Sequence, residues 1–213
     1  MLGAIAAGGS LAWPLSSRAA GDDLYFEARR DGRPIGHHAV RFSEEEGRLI
    51  VDIEISLTLT FAFIPVYRYR HQNREVWAGD TLIRLDAKTD DDGVRSWVSA
   101  RADGGRLLVD GSAGRSEMPH ETFPASYWHR DTVSQEAWLD IRSGHLVRSK
   151  VEAMPAEPIF AAGRTVQAEH YRLTGAIACD LWYHEGRWSK HRFVASEGST
   201  VEYVLLAASP SAP

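Results

Sequence analysis

Nine histidines, 29 acidic residues and one cysteine are the raw material for catalysis or metal binding in this 213-residue chain, and their spacing assigns them to neither. His37 and His38 are adjacent, so in a strand their rings point to opposite faces and cannot chelate one ion. No His-Glu-x-x-His element occurs, and Asp90-Asp91-Asp92-Gly93 lacks the later bidentate Glu of a calcium-binding loop. No metal site is expected. A nucleophile elbow needs Gly-x-Ser-x-Gly leading into a helix, whereas Asp110-Gly111-Ser112-Ala113-Gly114 has the wrong spacing and runs from a strand into a loop. Glycoside hydrolysis needs two converging carboxylates, which spacing alone does not pick out. Cys179 lies in Ile177-Ala178-Cys179-Asp180-Leu181-Trp182-Tyr183, whose odd positions share a face, so a buried thiol is expected there. The chain is thus expected to have no catalytic residue and no cofactor, with a hydrolase as the weaker rival.

The aromatic side chains form the better constellation. Tyr67, Tyr69 and His71 alternate with Arg68 and Arg70, so a period of two puts the rings on one face and the guanidinium groups on the other. Tyr127-Trp128-His129 follows a proline-containing loop and reads as a lid or plug. Rings on a concave face make a greasy slot with a few polar handles, the usual form of a site for a lipid-like amphiphile. The same rings equally suit a packed core. Candidate ligand-binding residues are therefore Tyr67, Tyr69, His71, Tyr127, Trp128, Arg68 and Arg70. The stripe Arg68, Arg70 and Arg74 would meet an anionic headgroup or pair with acids on a neighbouring strand, such as Asp86 or Glu54.

The elements that must carry these residues are strands. Asp31-Gly32, Glu46-Gly47, Gly79-Asp80, Asp92-Gly93, Gly104-Gly105, Glu185-Gly186 and Glu197-Gly198 are turn-formers between runs of alternating apolar and polar residues. Links this short force antiparallel pairing. The run Leu49 to Phe61 is apolar at every odd position and spans about 43 Å if extended, so its sheet must bend or twist strongly. Loops are expected over 113–124 and around Pro155 and Pro158, and one short helical segment over 125–136. The fold class is mainly β: a single large curled antiparallel sheet or open half-barrel of about twelve strands, with a closed barrel or a sandwich as alternatives.

Length and composition suit one β domain over residues 20–213. A formal charge of −5 leaves no electrostatic footprint for nucleic acid. Residues 2–15 are uncharged and mildly apolar, and Ser17 and Ala19 precede a candidate cleavage point, so residues 1–19 read as a signal peptide. That stretch is too short for a transmembrane helix, which needs about 20 apolar residues. No Lys or Arg precedes Arg18, which suggests a start further upstream and suits a twin-arginine signal. A periplasmic or secreted location follows as an expectation.

Phe26 to Gly36, Val66 to His71 with Glu75-Val76-Trp77, Thr89 to Gly93, and Tyr171 to Gly175 with Asp180-Leu181-Trp182-Tyr183 resemble the exported bacterial domain-of-unknown-function family 6134, similar in layout to family 3108. The resemblance covers most of residues 24 to 206. It implies kinship with periplasmic lipoprotein-carrier folds, in which a curled antiparallel sheet wraps an apolar cavity plugged by a helix, and it carries over no functional residue. The partners expected are a lipid-like small molecule or an envelope protein, the alternative being an interaction module with a solid core. Oligomeric state is not legible.

Overall fold

The computed structural model describes residues 23–207, so the expected signal peptide lies outside the described residues. Fifteen strands follow in chain order: β1 Leu24–Arg30, β2 Arg33–Glu45, β3 Arg48–Phe61, β4 Ile64–Ala78, β5 Thr81–Asp91, β6 Val94–Asp103, β7 Arg106–Gly111, β8 Gly114–Pro119, β9 Phe123–Pro124, β10 Ala137–Leu139, β11 Leu146–Ala161, β12 Arg164–Gly175, β13 Cys179–His184, β14 Arg187–Val194 and β15 Thr200–Leu205. All belong to one sheet, in the order β8-β7-β6-β5-β4-β3-β2-β1-β15-β14-β13-β12-β11-β10-β9. Every pair is antiparallel except β9 with β10.

Every pair joins strands consecutive in sequence except β1 with β15, where Phe26 faces Leu205 and Arg30 faces Val201. The two ends of the chain therefore meet in the middle of the sheet, and its free edges are β8 and β9, which are consecutive in sequence. The sheet rolls so that these edges approach without closing. The Ala113 N–H donates to the Ser143 carbonyl at 3.0 Å, tying the β7–β8 turn to the β10–β11 turn.

Three expectations need correction. The strand count is fifteen, because the presumed loop over 113–124 contains β8, which is mostly exposed, and β9, which has only two residues, so neither shows a readable alternation. Pro155 and Pro158 lie inside β11, a strand of 16 residues. β10 covers only Leu146–Arg148 of that strand, so the prolines fall on an unpaired edge, where a missing N–H breaks no ladder, and Pro155 sits in the bulge between Met154 and Glu157. The segment 125–136 is helical only as one 3-10 turn, Arg130–Ser134, because Tyr127 adopts a left-handed φ of 64° and ends any helix before it.

The inner face is packed with large rings. Trp77, Trp128, Trp138 and Trp188 are all at most 1% exposed and share a core with Phe26, Phe42, Leu85, Leu107 and Tyr183. Cys179 is buried there too, as its strand parity implies, and burial pushes its thiol up to about 12. Trp182 is the exception in direction: it lies on the opposite face from Tyr183, stacked on His170 at 4.4 Å and covered by Lys190 and Arg192.

Close strand approach is sharpest at Gly36, beside the bulge between Ala28 and Arg29. Its φ is 151°, and a Cβ there would lie 1.9 Å from the Ser56 backbone oxygen. Gly32, in the β1–β2 turn, also has positive φ but faces open space. Gly36→Ala is therefore expected to lower unfolding free energy by about 3 kcal/mol or more, and Gly32→Ala by only about 1 kcal/mol, as read from urea denaturation midpoints.

Candidate functional site

β4 carries the polar residues that reach furthest into the interior. Along it, Tyr67, Tyr69, His71, Asn73, Glu75 and Trp77 point inward while Arg68, Arg70, Gln72 and Arg74 point outward. At the inner end, Glu75 is fully buried and its carboxylate is enclosed by donors. Trp77 Nε1 and Trp128 Nε1 donate to Oε2 at 2.9 and 2.8 Å, and Asn73 Nδ2 donates to Oε1 at 2.7 Å. Burial pushes this carboxyl's pKa up, and those hydrogen bonds, with one from Ser126, pull against it. Trp128 reaches Glu75 from a loop 53 residues away in sequence. In the segment Tyr127-Trp128-His129, expected to be a lid or plug, Trp128 is fully buried and bonded to Glu75, so its indole has no surface to offer a ligand.

A second inward layer lies toward the opposite end of β4. His38, His71 and His191 are all buried, and the pKa of each is lowered by burial, His71 to about 4 and His191 to about 3. His38 packs edge-on against Trp188 and Tyr203 at 5.2 and 5.3 Å, and neither of its ring nitrogens has a hydrogen-bond partner. Tyr203 also lies 5.3 Å from His191, which in turn meets Tyr127 at 5.2 Å. Of the seven sequence candidates, Tyr67, Tyr69, His71 and Tyr127 therefore face the interior. Tyr67 donates to Asp91 at 2.7 Å, and His71 Nδ1 bonds the Thr89 hydroxyl at 2.9 Å.

Arg68 and Arg70 occupy the other face and cannot share a site with those rings. Arg74 pairs across strands with Asp52 and Glu45, while Glu54 and Asp86 are taken by Arg41 and Arg84. Beside Arg70 the outer face holds a groove of about 650 Å³, lined among others by Gln72, Lys88, Asp90, Arg95 and Trp97. Trp97 is 46% exposed. Asp90 is paired with Arg95 at 3.6 Å and Glu54 with Arg41 at 3.5 Å. Arg70 and Lys88 have no ion pair among the described residues. Trp97 was not among the sequence candidates, yet its parity was readable: Val98 and Ala100 point inward, so Arg95, Trp97 and Ser99 point outward.

The acidic turn is structural. Asp90 caps the Gly93 N–H, Asp91 accepts from Tyr67, and Asp92 accepts from the Arg68 N–H. Among the described residues, no three His, Cys, Asp or Glu side chains are grouped so as to hold a metal ion. On the face that carries Trp182, Asp180 accepts from His170 at 2.8 Å, Arg172 at 3.0 Å and Arg192 at 3.1 Å. Burial alone would raise its pKa, and these donors outweigh it and hold the carboxyl below the usual range. Both His170 and Asp180 are committed to this network, which is a staple between β12, β13 and β14. No helix among the described residues is long and apolar enough to cross a membrane.

A family model described as "Domain of unknown function (DUF6134)" matches residues 26–206. No curated protein and no solved structure gives a match.

The buried histidines set a pH dependence. Neutral imidazole is favoured in the fold, so below pH 6.5 the unfolded chain binds the extra protons and stability falls. The loss runs from pH 6.5 down toward about 4 for His71 and about 3 for His191. Glu75, with its raised pKa, acts in the opposite sense but is one group against three. Urea midpoints are expected to drop steeply between about pH 7 and pH 5, each histidine contributing up to about 1.4 kcal/mol per pH unit. His38→Phe should flatten that slope without loss of stability at neutral pH.

Proposed function

The chain belongs to the DUF6134 family, which has no assigned activity, and we propose that it is an exported, non-enzymatic binding protein of the bacterial envelope that holds an anionic amphiphile against the outer face of its rolled sheet. The observation that carries this reading is Trp97, an indole nearly half exposed on the wall of the 650 Å³ groove, flanked by Arg70 and Lys88, which have no ion pair among the described residues, while Asp90 and Glu54 in the same lining are paired with Arg95 and Arg41. An exposed indole offers a flat apolar platform, and two cations beside it fix a phosphate or carboxylate. The inner face favours this placement by contrast, since tryptophans, Phe26 and Tyr183 fill it and Trp128 is bonded to Glu75. Export is supported by the apolar, uncharged residues 2–15 and the small residues that follow.

The lipid-like ligand expected from the aromatic pattern thus keeps its chemistry and changes its location. Arg70 remains in the proposed site; Tyr67, Tyr69, His71, Tyr127 and Trp128 do not contact it through their side chains. Titration with dodecyl phosphate below its micellar concentration is expected to give saturable binding. Trp97→Ala is expected to weaken it by about tenfold, roughly 1.4 kcal/mol. Arg70→Glu combined with Lys88→Glu should abolish it. Binding that is indifferent to both changes, or no binding at all, would overturn the groove as the site. Amino-terminal sequencing of the protein recovered from the envelope is expected to begin at Ala20.

A further inference from the structure

Seven two-residue turns among the described residues have both φ values positive, and six of them place Gly second: Asp31-Gly32, Glu46-Gly47, Asp92-Gly93, Gly104-Gly105, Ala162-Gly163 and Glu185-Gly186. The seventh, between β3 and β4, is Ala62-Phe63, with φ values of 49° and 66°. A bulky residue in the left-handed region is unfavourable, and this turn form favours Asn-Gly. Phe63 is moreover 100% exposed, so its ring has no packing in the fold to offset that conformation. Ile64 and Val66 beside it are 66% and 57% exposed.

The turn also stands clear of the sheet. β2 stops pairing with β3 at Gly36 opposite Leu57, and β5 begins pairing with β4 at Asp91 opposite Tyr69. Beyond these points the pairs Thr58–Arg68, Leu59–Tyr67, Thr60–Pro65 and Phe61–Ile64 form a projecting two-stranded ribbon, held at its base to the end of β5 by the Asp92 N–H to the Arg68 carbonyl at 2.8 Å, the Arg68 N–H to Asp92 at 3.3 Å and the Tyr67 hydroxyl to Asp91 at 2.7 Å. Such a ribbon is marginal in water by itself. Going back from the tip, the side chains run from apolar (Ala62 to Val66) through Tyr67 to the guanidinium groups of Arg68 and Arg70, neither of which has an ion pair among the described residues.

We propose that the β3–β4 tip is a wedge that inserts into the interface of a phospholipid bilayer. The order of apolar end, aromatic collar and cations matches hydrocarbon, headgroup boundary and phosphate. A protein strand adding to the ribbon is the poorer occupant, because Pro65 has no N–H to extend a ladder along the β4 edge. The Asp90–Asp92 turn lies alongside, so attraction to anionic headgroups is modest and the apolar tip carries the binding.

The wedge shares Arg70 with the Trp97 groove, and the test separates them by changing only the tip residues Ala62 and Phe63. The full chain is floated with vesicles of phosphatidylethanolamine and phosphatidylglycerol, and in parallel with pure phosphatidylcholine. Ala62→Asn with Phe63→Gly converts the tip to the favoured turn, so this double variant is expected to unfold at a higher temperature while losing vesicle binding by at least tenfold. Its dodecyl phosphate titration should match that of the parent. Three results would overturn the wedge: no flotation of the parent chain with either vesicle, equal flotation of parent and double variant, as binding through residues 2–15 would give, or a Phe63-dependent dimer in sedimentation velocity without vesicle binding.

Discussion

Side chains along a strand leave it alternately on opposite faces, and in a fifteen-stranded sheet rolled on itself that rule decides what each residue can touch. It divides β4 into an inward row of Tyr67, Tyr69, His71, Asn73, Glu75 and Trp77 and an outward row of arginines and Gln72. Rings and guanidinium groups adjacent in sequence therefore serve different surfaces. The inner row organises the core, and the outer row faces a groove whose one exposed indole arrives from β6 by the same rule.

The interior is held by a buried acid that works as a staple. Glu75 collects indole N–H groups from its own strand and from the loop that bears Trp128, so one carboxyl group fixes the long segment between β9 and β10. A buried charge is tolerated only where donors surround it, and this one is surrounded on both oxygens. The histidine layer lacks such satisfaction: His38 has rings for neighbours and no partner for either nitrogen, which makes that layer the part of the core most sensitive to protonation.

Much of the fold was legible because its turns are local chemistry. Asp31-Gly32, Glu46-Gly47, Asp92-Gly93 and Glu185-Gly186 are all turns, and the odd-apolar run from Leu49 places Val51, Ile53 and Leu57 in the core. What failed was non-local. Pro155 and Pro158 look like loop markers until β11 is known to be unpaired along that stretch. The run from Ala125 reads as helical until Trp128 is known to be drawn to a carboxylate 53 positions earlier. Arg74 was expected to find Asp86 or Glu54 and found Asp52 and Glu45, since Asp86, though opposite it on β5, is taken by Arg84 and Ser99, and Glu54 by Arg41, a competition that spacing along the chain does not show. In the site, Arg70 was legible as a cation on an outer face, whereas the groove beside it depends on how four strands curve together.

The pairing of β1 with β15 has a consequence for biogenesis. Two meandering arms, 24–119 and 123–205, can each zip from nearest neighbours as they emerge, but the bond between them joins the first and the last of the described strands. β1 waits with a bare edge until β15 leaves the ribosome, so the nascent chain cannot complete its sheet before that strand is made. Any chaperone guarding this polypeptide has that one edge to protect until β15 arrives.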